Sequence, residues 1–254
     1  MKVIKRSFSL SCSSCGLQQV CFPTGLMAAD ILRLDEIVNH KPYLEKGEVL
    51  YDAQAPFKSI FAIRSGMVKL YSSLEDGVDV IHGFYFAGDV VGLDGIESGY
   101  YQMTVEAVTE TYVCEISYQQ LKTLSAQLPN LSIQLYNVLS KKMNESYYQA
   151  QLLAINSAKQ RLANFLFHMV ERVRLRGYDE SSFHLPILHR EVANYLGLTP
   201  ETVSRLLTNF HKQGIVSWKK RTLTLHNKTA LKQAAGLKTS LEQVCPHCMK
   251  SSVS

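Results

Sequence analysis

"LPILHREVANYLGLTPETVSRLLTNFHKQGIVSWKKRTLTLHN", residues 185–227, decides the fold of this chain. A helix over HREVANYL stops at Gly197. The next helix has its start written out. Thr199 offers a side-chain N-cap and is also expected among the DNA-binding residues, and Pro200 suits the first helical position, where its missing N–H would have no partner anyway. Val203, Leu206, Leu207 and Phe210 then form an inward apolar stripe. Glu201, Ser204 and Arg205 stand at i, i+3 and i+4 on another face, near the helix N-terminus. In a helix-turn-helix, that end of the second helix meets the base edges. Arg donates twice to guanine O6 and N7, Glu accepts from cytosine N4, and Ser bonds to either kind of edge. Glu201 would repel phosphates, so base reading accounts for it; the alternative is an i, i+4 pair with Arg205. The following VSWKKRTLTL predicts a hairpin crowned by Lys219, Lys220 and Arg221, a wing able to touch phosphates.

Charge agrees with that reading. Residues 159–232 hold 13 Lys and Arg against 5 Asp and Glu, whereas residues 1–158 hold 12 against 16. An acidic front joined to a basic back points to a polyanionic partner for the back. With 46% apolar residues, the chain builds a real core and is neither disordered nor fibrous. The Met1–Leu10 leader is basic without an apolar run, and no later segment reaches the length of a membrane span. A cytoplasmic protein without a membrane partner is therefore expected. No Ser/His/Asp order, phosphate loop or placed acid pair points to an enzyme.

Upstream, "EKGEVLYD", "SIFAIRSGMVKLYS", "DVIHGFYFAGDVVG" and "TVEAVTETYVCEI" read as short strands broken by glycines, with a hairpin turn at Asp76-Gly77. They predict a small sandwich or jelly roll. A short helix over SYQQLKTLSAQLPN and a long one over residues 131–157 follow. On the long helix Leu135, Leu139, Met143, Ser146, Ala150 and Leu153 step at nearly heptad spacing, which predicts the seam of a homodimer. The domains expected are a cysteine-rich segment (1–25), a β-roll (26–130), the dimerisation helix (131–157), a winged helix-turn-helix (158–232) and a tail (233–254). The fold class is α+β.

Three cysteines crowd the front, Cys12, Cys15 and Cys21, spaced C-x2-C-x5-C. Cys114, Cys245 and Cys248 complete the set. In a cytosolic chain, clustered thiols more often bind metal or do redox work than form disulfides. C-x2-C at 12/15 and again at 245/248 is also zinc-site spacing, so the metal stays open on these grounds.

A β-roll, a long helix and a winged helix-turn-helix in this order resemble the CRP/FNR superfamily of bacterial transcription regulators. "CSSCGLQQVC", "AIRSG", "FAGDVVGLD", "VCEI" and "YLGLTPETVSRLL" resemble its FNR branch, the oxygen-responsive regulators. The resemblance implies one [4Fe-4S] cluster per subunit, held by Cys12, Cys15 and Cys21 with Cys114 as the fourth ligand. It implies that Glu201, Ser204 and Arg205 read palindromes with TTGAT-like half-sites in double-stranded DNA. Loops such as Leu74–Val80 would touch RNA polymerase, to activate or repress transcription. The cyclic-nucleotide branch shares the fold and binds its ligand's phosphate with an Arg. "GDVVGLDGIESGYYQMTVEA" keeps glycines and Asp94 but has no Arg, and the chain has none between Arg64 and Arg161. No cyclic nucleotide is expected. The alternatives are a constitutive DNA-binding dimer with a structural zinc–cysteine site and a cyclic-nucleotide-responsive regulator.

Overall fold

The computed structural model describes residues 11–39 and 42–237, so the Cys245 and Cys248 pair lies outside the described residues. The chain divides into two compact units: the part up to Leu70 with Phe84–Leu139, and Tyr71–Gly83 with the part from Ser140 onward.

The first unit is the expected roll. A helix α1 (Ala28–Asp35) precedes strands β1 (Val38–Asn39), β2 (Tyr43–Leu44), β3 (Val49–Tyr51), β4 (Ser59–Ser65), β5 (Met67–Ser73), β6 (Asp79–Phe86), β7 (Val90–Val91), β8 (Thr104–Ala107) and β9 (Thr111–Ser117). They form two sheets, ordered β1-β9-β4-β7 with β2 also on β9, and β3-β8-β5-β6. Strand β4 explains the layering. Its side chains alternate, and both faces are buried. Phe61 and Ile63 enter a core shared with Tyr51, Val68, Tyr85, Val105 and Val113, which joins the two sheets. Ile60 and Ala62 enter a second core, on the opposite face of β4, with Phe22, Leu34, Val90 and Ile116. Helices α2 (Tyr118–Gln127) and α3 (Pro129–Ala154) follow β9. Leu121, Leu124 and Leu131 close that second core, with Leu135, Val138 and Leu139 packed against it. Each of these fully buried aliphatic side chains contributes about 1.5–3 kcal/mol.

Helix α3 ends at Ala154, three residues before the expected Ser157. Ser157 instead caps the next helix, α4 (Ala158–Arg174), by accepting from the Gln160 N–H. The second unit continues with β10 (Ser182–His184), α5 (His189–Leu196), α6 (Pro200–Lys212), β11 (Val216–Lys219), β12 (Thr222–Leu225) and α7 (Lys228–Ala234). The wing is a three-stranded sheet ordered β10-β12-β11. Leu162, Phe165, Leu166, Val192, Leu196, Val203, Phe210 and Leu223 are among the buried residues of this domain. An ion-pair network ties α7 to α4: Lys228 Nζ lies 2.9 Å from Glu171 and 2.8 Å from Glu180, and Arg174 lies 2.9 Å from Glu171.

That network has an acid limit. Burial opposes ionisation of Glu171, but Lys228 and Arg174 outweigh it and hold the carboxyl below its ordinary 4.5. A depressed carboxylate pKa stabilises the fold above the unfolded value and loses that contribution as pH falls through the folded one. Trp218, the one tryptophan, is buried on β11 and reports on this domain alone. In Trp218-monitored melts, Lys228→Ala lowers the transition temperature at neutral pH. The gap to the parent protein closes as pH falls below about 4.

Candidate metal centre and nucleic-acid interface

The N-terminal segment is bound to the roll by one large anchor. Phe22 is 1% exposed within the second core. Around it the backbone turns tightly: the Cys15 N–H donates to the Cys12 carbonyl at 3.4 Å, and the Cys21 N–H to the Leu17 carbonyl at 2.8 Å. Gln18 Nε2 donates to the Cys12 and Ser13 carbonyls, both at 2.7 Å. Thr24 Oγ1 donates to the Gln18 and Cys21 carbonyls at 2.9 and 2.6 Å. The Cys12 N–H donates to Asp35 Oδ1 on α1 at 2.7 Å. On the strand side, Cys114 pairs with Ala62 across β9 and β4, on the face that carries Ile60 and Ile116.

These contacts bring the four cysteines together. Cys12, Cys15, Cys21 and Cys114 line a single cavity with Phe22, Leu34, Val38, Ala62, Ile63 and Ile116. Among the described residues, Arg64 is the one cationic residue lining it. Burial pushes the Cys21 thiol up to about 12 and the Cys114 thiol up to about 11. Burial, then its hydrogen bond to Asp35, raises Cys12 well above its ordinary value. Without a metal these thiols are protonated at neutral pH; a metal displaces those protons. The donor set fits a four-thiolate centre, of either a cubane cluster or zinc. The sulfurs are gathered but not closed, since among the described residues no three His, Cys, Asp or Glu already form an ion-binding group.

The nucleotide cassette is otherwise engaged. Asp94 Oδ2 accepts from the backbone N–H groups of Gln102 and Met103 at 2.9 and 3.2 Å. Tyr51, Phe61, Tyr85 and Tyr101 fill the roll between its sheets. Tyr51 stacks on Tyr101 with ring centres 3.9 Å apart.

In the basic unit, α5 ends at Gly197, whose φ of 60° is a left-handed turn that glycine adopts without strain. Thr199 Oγ1 then accepts from the Thr202 N–H at 3.2 Å, so Thr199 caps α6. Glu201, Ser204 and Arg205 are exposed together on α6, while Val203, Leu207 and Phe210 are buried. Glu201's carboxyl is held below its ordinary value by its own backbone N–H and by Thr199, and among the described residues no ion pair joins it to Arg205. Both side chains are exposed on this face, and Glu201 points its carboxylate there while it is held by the helix start. Thr208 and Asn209 continue the exposed surface of α6, which the apolar stripe alone did not single out. The wing turns in two residues, Lys220 and Arg221, between the paired Lys219 and Thr222. Both have positive φ, 48° and 65°. Such a turn normally takes Asn-Gly, and left-handed backbone costs an ordinary residue roughly 1–2 kcal/mol.

The expected seam divides. Leu135 and Leu139 pack against the roll's own core, while Met143, Ser146, Ala150 and Leu153 are exposed. The outward stripe instead runs Ile133, Tyr136, Ser140, Met143, Tyr147, Ala150 and Ala154, in alternating steps of three and four. Tyr136 and Tyr147 are 68% and 59% exposed and were not in the expected series.

A sensory-type roll, a long helix and a winged helix-turn-helix with an exposed reading face define a class: DNA-binding transcription regulators. Comparison with known proteins agrees. Residues 41–127 match the cyclic nucleotide-binding domain family, and residues 160–234 the Crp-like helix-turn-helix domain family. The fumarate and nitrate reduction regulatory protein of Escherichia coli K12 is 37% identical over 228 residues, covering 90% of this chain and 91% of its own length. That of Yersinia pestis is 36% identical over 239 residues, covering 92% and 96%. The solved structure of FixK2 from Bradyrhizobium japonicum has a TM-score of 0.70 at 29% identity, covering 76% of this chain and 95% of that one. A CRP-family transcriptional regulator from Thermus thermophilus, TM-score 0.62 at 20% identity over 77% and 97%, shares the fold. The chain belongs to the CRP/FNR family of transcription regulators.

Two variants separate the roles of α6 and the wing. Arg205→Ala weakens binding to the preferred duplex by about 1–3 kcal/mol and relaxes preference at one base pair, read by competition among single-base variants of the site. The wing pair Lys220→Asn with Arg221→Gly raises stability in Trp218-monitored denaturation by about 1–2 kcal/mol. It also weakens binding to all sequences and flattens the salt dependence by about 2.

Proposed function

We propose that this regulator senses oxygen through a [4Fe-4S] cluster held by Cys12, Cys15, Cys21 and Cys114. The observation that carries the reading is the convergence of all four thiols on one cavity with an apolar lining. When bound, a cluster supplies an oxygen-labile cross-link between the N-terminal segment and β9. The rest follows from the chain. Phe22 and Cys21 belong to the core that holds Leu131, Leu135 and Leu139, so the order of the cysteine segment bears on the seating of α3. Helix α3 exposes the Tyr136–Met143–Tyr147–Ala150 stripe, which serves as the homodimer seam. A paired α3 sets two reading helices about one DNA turn, roughly 34 Å, apart on a palindrome with TTGAT-like half-sites. Glu201 and Arg205 read the G·C pair of each half-site.

The hairpin tip exposes Leu74 and Val78 beside Glu75 and Asp76, a surface for RNA polymerase. The engaged Asp94 and the aromatic filling of the roll favour a metal over a cyclic nucleotide as the signal. A regulator of this kind works in the cytoplasm, where promoter DNA is.

Purification without oxygen tests the metal. The expected product is brown, carries iron and sulfide in equal amounts and bleaches in air. Cys114→Ala carries neither, while Cys248→Ala carries both. A colourless, zinc-loaded protein would identify the structural zinc site instead.

A further inference from the structure

Strand β6 is the outer strand of the sheet β3-β8-β5-β6. An outer strand leaves every second residue's N–H and C=O without a strand partner. At the tip of the hairpin, side-chain amides take those groups. Asn194 Nδ2 donates to the Asp79 carbonyl at 2.6 Å, and Asn194 Oδ1 accepts from the Ile81 N–H at 2.8 Å. Gln149 Nε2 donates to the Ile81 carbonyl at 3.5 Å. Asp79 and Ile81 are two residues apart, so their main-chain groups point to the same edge, and one carboxamide satisfies both as a neighbouring strand would. Asn194 lies on α5, three residues before the Gly197 turn into the reading helix, and Gln149 lies on α3.

The other end of β6 runs to the cysteine segment. After Phe86 the chain reaches Gly88, φ 93°, where a Cβ would stand 2.8 Å from Val20 Cγ2. Val20 is the neighbour of Cys21. Asp89 Oδ2 accepts from the Phe86 N–H at 2.8 Å, and the Gly88 N–H donates to the Ile63 carbonyl at 2.8 Å, fixing this end on β4. One continuous strand of eight residues, about 26 Å long at about 3.3 Å per residue, thus joins the contact with the cysteine segment to the clasp on α5.

We propose that Asn194 is a positioning residue: by completing the open edge of β6 it couples the cysteine segment to the helix pair that reads DNA. The coupling rests on the DNA-binding reading and holds whichever metal the thiols take. Coupling is reciprocal, so DNA at α6 must alter the cysteine end of β6.

Hydrogen exchange tests this on the full chain, with and without a saturating TTGAT-palindrome duplex, for the parent protein, Asn194→Ala and Asn194→Asp. Asn194→Asp keeps the acceptor for Ile81 but sets a second acceptor against the Asp79 carbonyl. In the parent protein, DNA slows exchange across Phe84–Val91 and residues 12–25 about fivefold or more. Both variants lose this response while their Trp218-monitored melts still show a folded winged domain. The proposal is overturned if DNA leaves Phe84–Val91 unchanged in the parent protein, or if both variants transmit the change undiminished. Iron and sulfide content, measured on the same preparations, reports separately on the cluster reading.

Discussion

Four half-buried thiols gathered against an apolar wall set the terms for the rest of this molecule. Burial raises Cys12, Cys21 and Cys114 well above the pKa of a free thiol, so the cavity rejects thiolates unless a metal's positive charge replaces the protons. Arg64 is the one cationic residue lining the cavity among the described residues, and Asp35 works against it. A site built this way favours its metal only by a balance of opposing terms. That suits a sensor better than a permanent structural staple.

Shared packing links the cysteine cavity to the long helix. Strand β4 is buried on both faces. Its inner face fills the roll, the part of the chain that matches the cyclic nucleotide-binding domain family, with aromatic side chains. Its outer face joins Phe22 of the cysteine segment to the first turns of α3. The sensing segment and the long helix therefore share one core.

The winged domain was legible from residues alone because its signals are local. Gly197, Thr199 and Pro200 specify a turn and a helix start by backbone chemistry, and the structure keeps each in that role. The roll was legible as a class from its alternating strands and glycine turns. Helix α3 was legible as a helix, but which of its faces is left exposed was not. Leu135 and Leu139 satisfy heptad spacing, yet their face is claimed by the roll's own core, which no helical period reveals. Tyr136 and Tyr147 carry the outward stripe instead. Asn194 left no mark on the sequence at all: its contacts with Asp79 and Ile81 span 115 and 113 positions, and an exposed Asn on a short helix has no periodic signature. The Lys220-Arg221 wing was visible as charge, but its left-handed backbone was not.

The central claim is that oxygen controls DNA binding through the state of the cysteine centre. The direct measurement follows one anaerobic sample by sedimentation and by affinity for a TTGAT palindrome, before and after exposure to air. The account predicts that dimer and affinity fall together, the affinity by on the order of tenfold or more. Affinity and dimer fraction that persist through complete bleaching would contradict it.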